Sequence, residues 1–202
     1  AARGKDLYNT AQFIENGEVK AVVNKSLLPN YDIFDEYRYF EPTNELACVH
    51  FKGHTIALTV CEDLWNINSN PLYQESPMAV LIKEKPNLMI NIAASPFSYA
   101  HPGNRITALQ KNCHAYHLPL FYVNHTGAQT ELIFDGQSLV LDKDGQIIDQ
   151  LPAFAESVRI YDFNNLPTAS SQTYADKDTM QLIHDALIVS VSYYFTRSVY
   201  KK

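Results

Sequence analysis

The chain is predicted to be an α/β protein. Short runs rich in β-branched and aromatic residues alternate with segments of helical periodicity, and Gly-containing dipeptides stand where hairpins would turn. Its 202 residues, 46% hydrophobic and 12% aromatic, suffice for one sizeable core in a single domain, or a domain with an appendage.

Residues 8–14 and 19–23 read as strands joined through Asn16-Gly17, a dipeptide that favours a tight hairpin turn. A second hairpin pairs residues 47–51 with 54–60 through Lys52-Gly53. Residues 77–85 form a short helix, with Pro77 in its first turn and Pro86 just past its end. Residues 88–93 are the next strand. Residues 104–116 place Ile106, Leu109, Cys113 and Tyr116 at spacings of three and four, the stripe of an amphipathic helix that puts Cys113 in the core. A buried strand at 120–124 follows, then a hairpin of 137–141 with 146–150 across Asp142 to Gly145, and a last strand at 157–161. A polar stretch over 164–175 precedes one long helix at 178–200, with Met180, Ile183, Leu187, Val191 and Tyr194 along a stripe.

Chemistry is expected first at Cys61. It ends the apolar run of residues 55–60 and is followed at once by Glu62 and Asp63, so its sulfur emerges where a buried strand stops. A free cysteine is often a small core hydrophobe, and a thiol of ordinary pKa, about 8.5, is only a few per cent thiolate at neutral pH. A cationic partner changes that balance. Lys25, at the end of the strand at 19–23, is the candidate, since groups at the ends of neighbouring strands meet over one edge of a sheet.

The segment from Lys25 through Leu28-Pro29-Asn30-Tyr31, Phe34-Asp35-Glu36, Arg38 and Phe40 occurs with Val60-Cys61-Glu62-Asp63-Leu64-Trp65. Asn91 to Pro96, Arg105, Asn124 and Gly127 to Ser138 continue the series. Together these motifs resemble the glutamine-hydrolysing, nitrilase-superfamily domain of glutamine-dependent NAD synthetases. The resemblance covers most of the chain. Ala128 and Thr130 depart from it, standing where a Gly and an Asp are usual.

The resemblance implies a nitrilase-like four-layer αββα sandwich with two mixed sheets, over residues 1–175. It implies that residues 176–202 lead toward an ATP-dependent synthetase domain absent from the sequence. It also implies a catalytic Cys61 and Lys25, with Glu36 keeping Lys25 protonated and aimed. Tyr31, Glu62, Ser95 and Arg105 match glutamine-binding positions, Glu62 for the substrate ammonium and Arg105 for its carboxylate. The family's general-base glutamate lies upstream of every residue here, so the N-terminal portion is expected to be missing and no residue is given that role. The opening Ala1-Ala2-Arg3-Gly4 is neither a signal peptide nor a natural start.

The implied reaction is glutamine hydrolysis supplying ammonia for the ATP-dependent amidation of deamido-NAD to NAD. No cofactor is expected in this domain; ATP, Mg and deamido-NAD belong to the absent one. L-glutamine, the synthetase domain of the parent chain and further copies of the chain are the expected partners. A free-standing carbon-nitrogen hydrolase on another small amide, and a non-catalytic oligomerising fragment, are the alternatives.

Bulk properties exclude other classes. The net charge of -6, with no Lys/Arg cluster larger than a pair, argues against nucleic acid. No apolar stretch is long enough to span a bilayer. Three cysteines without paired spacing suggest a reducing, cytoplasmic compartment. Cys48 and His50 share a strand face, yet no Cys-x-x-Cys or His-x-x-x-His completes a metal site, and none is expected.

Overall fold

A computed structural model of the chain describes residues 2–3, 6–67, 73, 76–98, 102–167 and 179–197. After a minimal pair of strands, β1 (Ala2–Arg3) and β2 (Asp6–Leu7), the chain forms the hairpin of β3 (Thr10–Glu15) and β4 (Glu18–Asn24). Its turn puts Asn16 and Gly17 at φ 52° and 79°, as the dipeptide requires. Lys52 and Gly53, at 46° and 81°, do the same between β5 (Val49–Phe51) and β6 (His54–Val60).

The central sheet has six strands, in the order β12-β11-β8-β7-β6-β5. Strands β6, β7 (Leu88–Ala93) and β8 (Leu120–Asn124) are parallel neighbours. Parallel strands need a crossover, and α1 (Pro77–Leu81) and α2 (Pro102–Tyr116) supply it. Strands β11 (Leu139–Leu141) and β12 (Ile147–Gln150) add antiparallel pairs, so the sheet is mixed.

The period of two sorts each strand between two cores. On one face Ala57, Met89 and Leu120 pack against Met78 and Leu81 of α1 and Leu109 and Cys113 of α2. On the other, Ile56, Leu58, Val60 and Leu88 pack against Ala11, Phe13, Ala21 and Val23 of the β3–β4 hairpin. Helices, mixed sheet and a facing layer are thus in place. Among the described residues only the antiparallel β3–β4 hairpin represents the second sheet.

Three features differ from the sequence reading. Strands β9 (Thr126–Gln129) and β10 (Leu132–Asp135) pair where no strands are expected, turning through Thr130 at φ 55° without a glycine. No strand forms at 157–161. Val158 and Ile160 there are 89% and 95% exposed, and side chains hold the segment instead: the Tyr161 hydroxyl donates to Asp149 Oδ2 at 2.7 Å, and its ring packs on Phe121. The last helix, α3 (Thr179–Arg197), docks on β9 and β10 with small Ala186 buried, so Met180, Leu187, Val191 and Tyr194 face outward. The remaining residues of 164–175 and 176–202 assigned by sequence lie partly outside the described residues. No described helix is long and apolar enough to cross a membrane.

Candidate active site

The carboxyl ends of β6, β7 and β8 lie side by side, the edge where open α/β sheets gather ligands. Cys61, Ser95 and Asn124 stand at or just beyond those ends, and Lys25 follows β4 of the facing hairpin.

Cys61 opens a 3₁₀ turn over Cys61–Leu64 with φ 44°, a left-handed conformation that strains a residue bearing a Cβ. Asp63 holds that turn. Its Oδ2 accepts the Val60 N–H at 3.0 Å, while Oδ1 accepts those of Ser26 and Leu27 at 3.0 and 2.9 Å. One buried carboxylate therefore ties the residue before the cysteine to the two residues after the lysine. Burial pushes the Asp63 pKa up to about 6 against the pull of these three donors. Asn91, the polar interruption of β7, donates to Thr59 Oγ1 at 2.9 Å and to the Cys61 carbonyl at 3.3 Å.

Lys25 is 1% exposed. Its Nζ donates to both oxygens of Glu36, at 2.6 and 2.7 Å, so the buried lysine has a carboxylate partner. Burial raises the Cys61 pKa, and the Lys25 charge is the foremost effect pulling it down, helped by a hydrogen bond from the Ala94 backbone.

Glu62 follows Cys61 in the same turn. It is buried and accepts the Tyr31 hydroxyl at 2.9 and 3.1 Å on its two oxygens, and the Tyr73 hydroxyl at 3.0 Å on Oε1. Burial raises its pKa, and the two hydroxyls oppose that rise.

Arg105, in the first turn of α2, forks onto Asp135 with both terminal nitrogens, at 3.1 and 3.0 Å. Asp135 also accepts from Gln137 and Asn124. Asn124 in turn accepts the Ser95 N–H at 2.8 Å and donates to the Ser95 and Gly136 carbonyls. This network fixes the loop after β7 against those after β8 and β10.

A cavity of about 1020 Å³ opens over the edge, with Cys61, Glu62, Tyr31, Ser95, Arg105 and Trp65 in its wall. The Lys25–Glu36 pair is absent from that wall. Among the described residues no three His, Cys, Asp or Glu side chains gather as a metal site.

The carbon-nitrogen hydrolase family profile matches residues 2–169. The chain belongs to the carbon-nitrogen hydrolase family. It is 37% identical over 163 residues to a glutamine-dependent NAD(+) synthetase of Synechocystis, covering 79% of this chain and 29% of that protein. The corresponding Thermotoga maritima protein is 36% identical, with 79% of this chain and 27% of that protein covered. The solved structure of glutamine-dependent NAD+ synthetase from Acinetobacter baumannii superposes with a TM-score of 0.82 at 30% identity, covering 96% of this chain and 36% of that one. The chain thus spans about a third of the length of those relatives, and its fold is nitrilase-like.

Of the residues singled out in sequence, Cys61, Glu62, Tyr31, Ser95 and Arg105 line one cavity, and Lys25 and Glu36 form an ion pair. Sequence reasoning gave no role to Asn91, Asn124 or Asp135. A polar side chain inside the apolar run of residues 88–93 is a signal for the first. Tyr73 carried no signal at all, because it belongs to no periodic segment.

Proposed function

We propose that the chain is the glutamine-hydrolysing part of a glutamine-dependent NAD synthetase, with Cys61 as nucleophile. The observation that carries this reading is one cavity whose wall holds, on consecutive residues, a thiol and a buried carboxylate. A thiol suits attack on an amide, and a carboxylate whose hydrogen-bond partners among the described residues are the neutral Tyr31 and Tyr73 hydroxyls can pair with an ammonium. Glutamine carries both groups.

In this reading the Cys61 sulfur attacks the side-chain amide carbon, and the tetrahedral oxyanion takes a hydrogen bond from Lys25. An ammonium has three N–H donors and Glu36 occupies two, which leaves one. The C–N bond breaks, the thiol proton leaves with ammonia, and a thioester remains on Cys61. Water then adds to the thioester, glutamate departs and the thiol is restored. No residue of this chain is assigned the base that moves these protons. Glu62, steadied by Tyr31, receives the substrate ammonium. Ser95 and Arg105 face its amino-acid end, where a carboxylate would share the Arg105 guanidinium with Asp135.

The ammonia serves amidation of deamido-NAD in a synthetase domain, which uses ATP and Mg; residues 1–175 form the hydrolase and the helix after them leads toward that domain. The reading makes the protein cytoplasmic and homo-oligomeric. The similarity to glutamine-dependent NAD synthetases supports it. In the full chain, Cys61→Ala is expected to abolish NAD formation driven by glutamine and to spare that driven by ammonium salt. Equal loss of both, or loss of neither, would sink the assignment.

A further inference from the structure

The Glu62 carboxylate has two tyrosine partners that differ in their access to the Cys61 cavity. Tyr31 lines both the Cys61 cavity and a neighbouring cavity of about 720 Å³, whereas Tyr73 lines the neighbouring cavity and is not part of the Cys61 cavity wall. Glu62 itself is 4% exposed, yet it borders the Cys61 cavity. Two phenols therefore grip one carboxylate at the partition between two cavities, and only one of them can touch what enters beside the cysteine.

Phenols differ from Lys or Arg as carboxylate partners. A phenol donates a hydrogen bond without adding positive charge, so it orients the carboxylate and stabilises its ionised form while leaving the full negative charge on show. Burial and the Glu62 charge hold both phenols well above the ordinary tyrosine pKa, so they remain donors. Oε1 accepts from both, at 2.9 and 3.0 Å, whereas among the described residues Oε2 accepts only the longer Tyr31 contact at 3.1 Å. Oε2 thus keeps the larger share of free acceptor capacity.

Resting on the assignment of Glu62 to the substrate ammonium, we infer that Tyr73 is a positioning residue that sets selectivity for substrates bearing an α-ammonium group. It acts from behind the cavity wall by anchoring Glu62 Oε1, so that Oε2 is presented to the cation. Loss of the Tyr73 hydroxyl removes one charge-assisted donor from a buried carboxylate, which then protonates more readily and swings on a single tether. Binding of an ammonium suffers, and binding of a neutral group of the same shape does not.

The test uses two chloroketones with the full chain. One carries the amino-acid end of glutamine; the other is the same molecule without its α-amino group. In each case the Cys61 sulfur displaces chloride and forms a thioether, so the rate of alkylation reports occupancy of the cavity without requiring hydrolysis. Wild type is expected to react faster with the amino-bearing probe. In Tyr73→Phe that rate falls about tenfold, while the rate with the other probe stays within about twofold. An unchanged ratio between the probes overturns the role of Tyr73 and leaves that of Glu62 standing. A variant that loses both rates together, or does not fold, also overturns it, because the hydroxyl then serves structure and not selectivity. Equal rates for the two probes in wild type overturn the assignment of Glu62, and the inference with it.

Discussion

Asp63 joins the two halves of the site, and its buried charge gives the chain a distinctive dependence on pH. In the folded protein its pKa is raised from 3.8 to about 6, chiefly by burial. A raised carboxyl means that the native state binds more protons than the unfolded state between those values, so stability falls as pH rises through that window. The contribution is present at low pH and is lost above the folded pKa. Integrated from about pH 7 down to about pH 4.5, the group adds about 2 kcal/mol of stability. Asp63→Asn cannot titrate, and it keeps one acceptor for Ser26 and Leu27 while turning an NH₂ toward the Val60 N–H. Urea unfolding of wild type and Asp63→Asn at both pH values isolates the effect. Wild type is expected to gain about 2 kcal/mol over the variant on acidification. A difference independent of pH, or one of opposite sign, would show that the three backbone donors offset or outweigh burial at Asp63.

Replacing Lys25 with Met removes the cation from a buried pair and leaves Glu36 without it, which is expected to cost about 3 kcal/mol in urea unfolding. The same variant should alkylate more slowly at Cys61, since the charge that draws the thiol pKa down is gone; a cost below about 1 kcal/mol would contradict burial of the pair. At Cys61 the left-handed backbone favours glycine, so Cys61→Gly should be about 1 kcal/mol more stable than Cys61→Ala, with both inactive. Gly127, at φ 127°, lies under Tyr193, whose hydroxyl oxygen would be 2.9 Å from an added Cβ. Gly127→Ala should therefore destabilise the chain by about 2 kcal/mol and expose α3 to protease, and undiminished protection of α3 would argue against its docking on β9.

The parts of the fold legible in sequence are those written in local pattern. Asn16-Gly17 and Lys52-Gly53 fix two hairpins because their backbone angles suit few other residues. The runs at 88–93 and 120–124 end where the strands end, since their boundaries coincide with loss of apolar character. The β9–β10 hairpin escaped because a Thr130 turn leaves no glycine signature, and Val158 and Ile160 misled because apolar alternation alone does not supply a neighbouring strand. The stripe on α3 is real as a pattern, but the face that docks is the one with Ala186, chosen by close approach rather than by hydrophobicity. At the site, Cys61 and Lys25 are visible as strand-end residues. The Asp63 clamp and the second phenol on Glu62 are long-range contacts that no local pattern encodes.

Burial holds Cys48 at a pKa of about 11 and Cys113 at about 12, and neither lines the cavity that Cys61 borders. Peptide mapping after brief treatment of the full chain with a glutamine-shaped chloroketone, with and without excess glutamine, therefore shows whether Cys61 lies in a glutamine site. The expected result is modification confined to Cys61 and slowed by glutamine. Modification spread over the three cysteines, or indifferent to glutamine, would contradict a glutamine site built around Cys61.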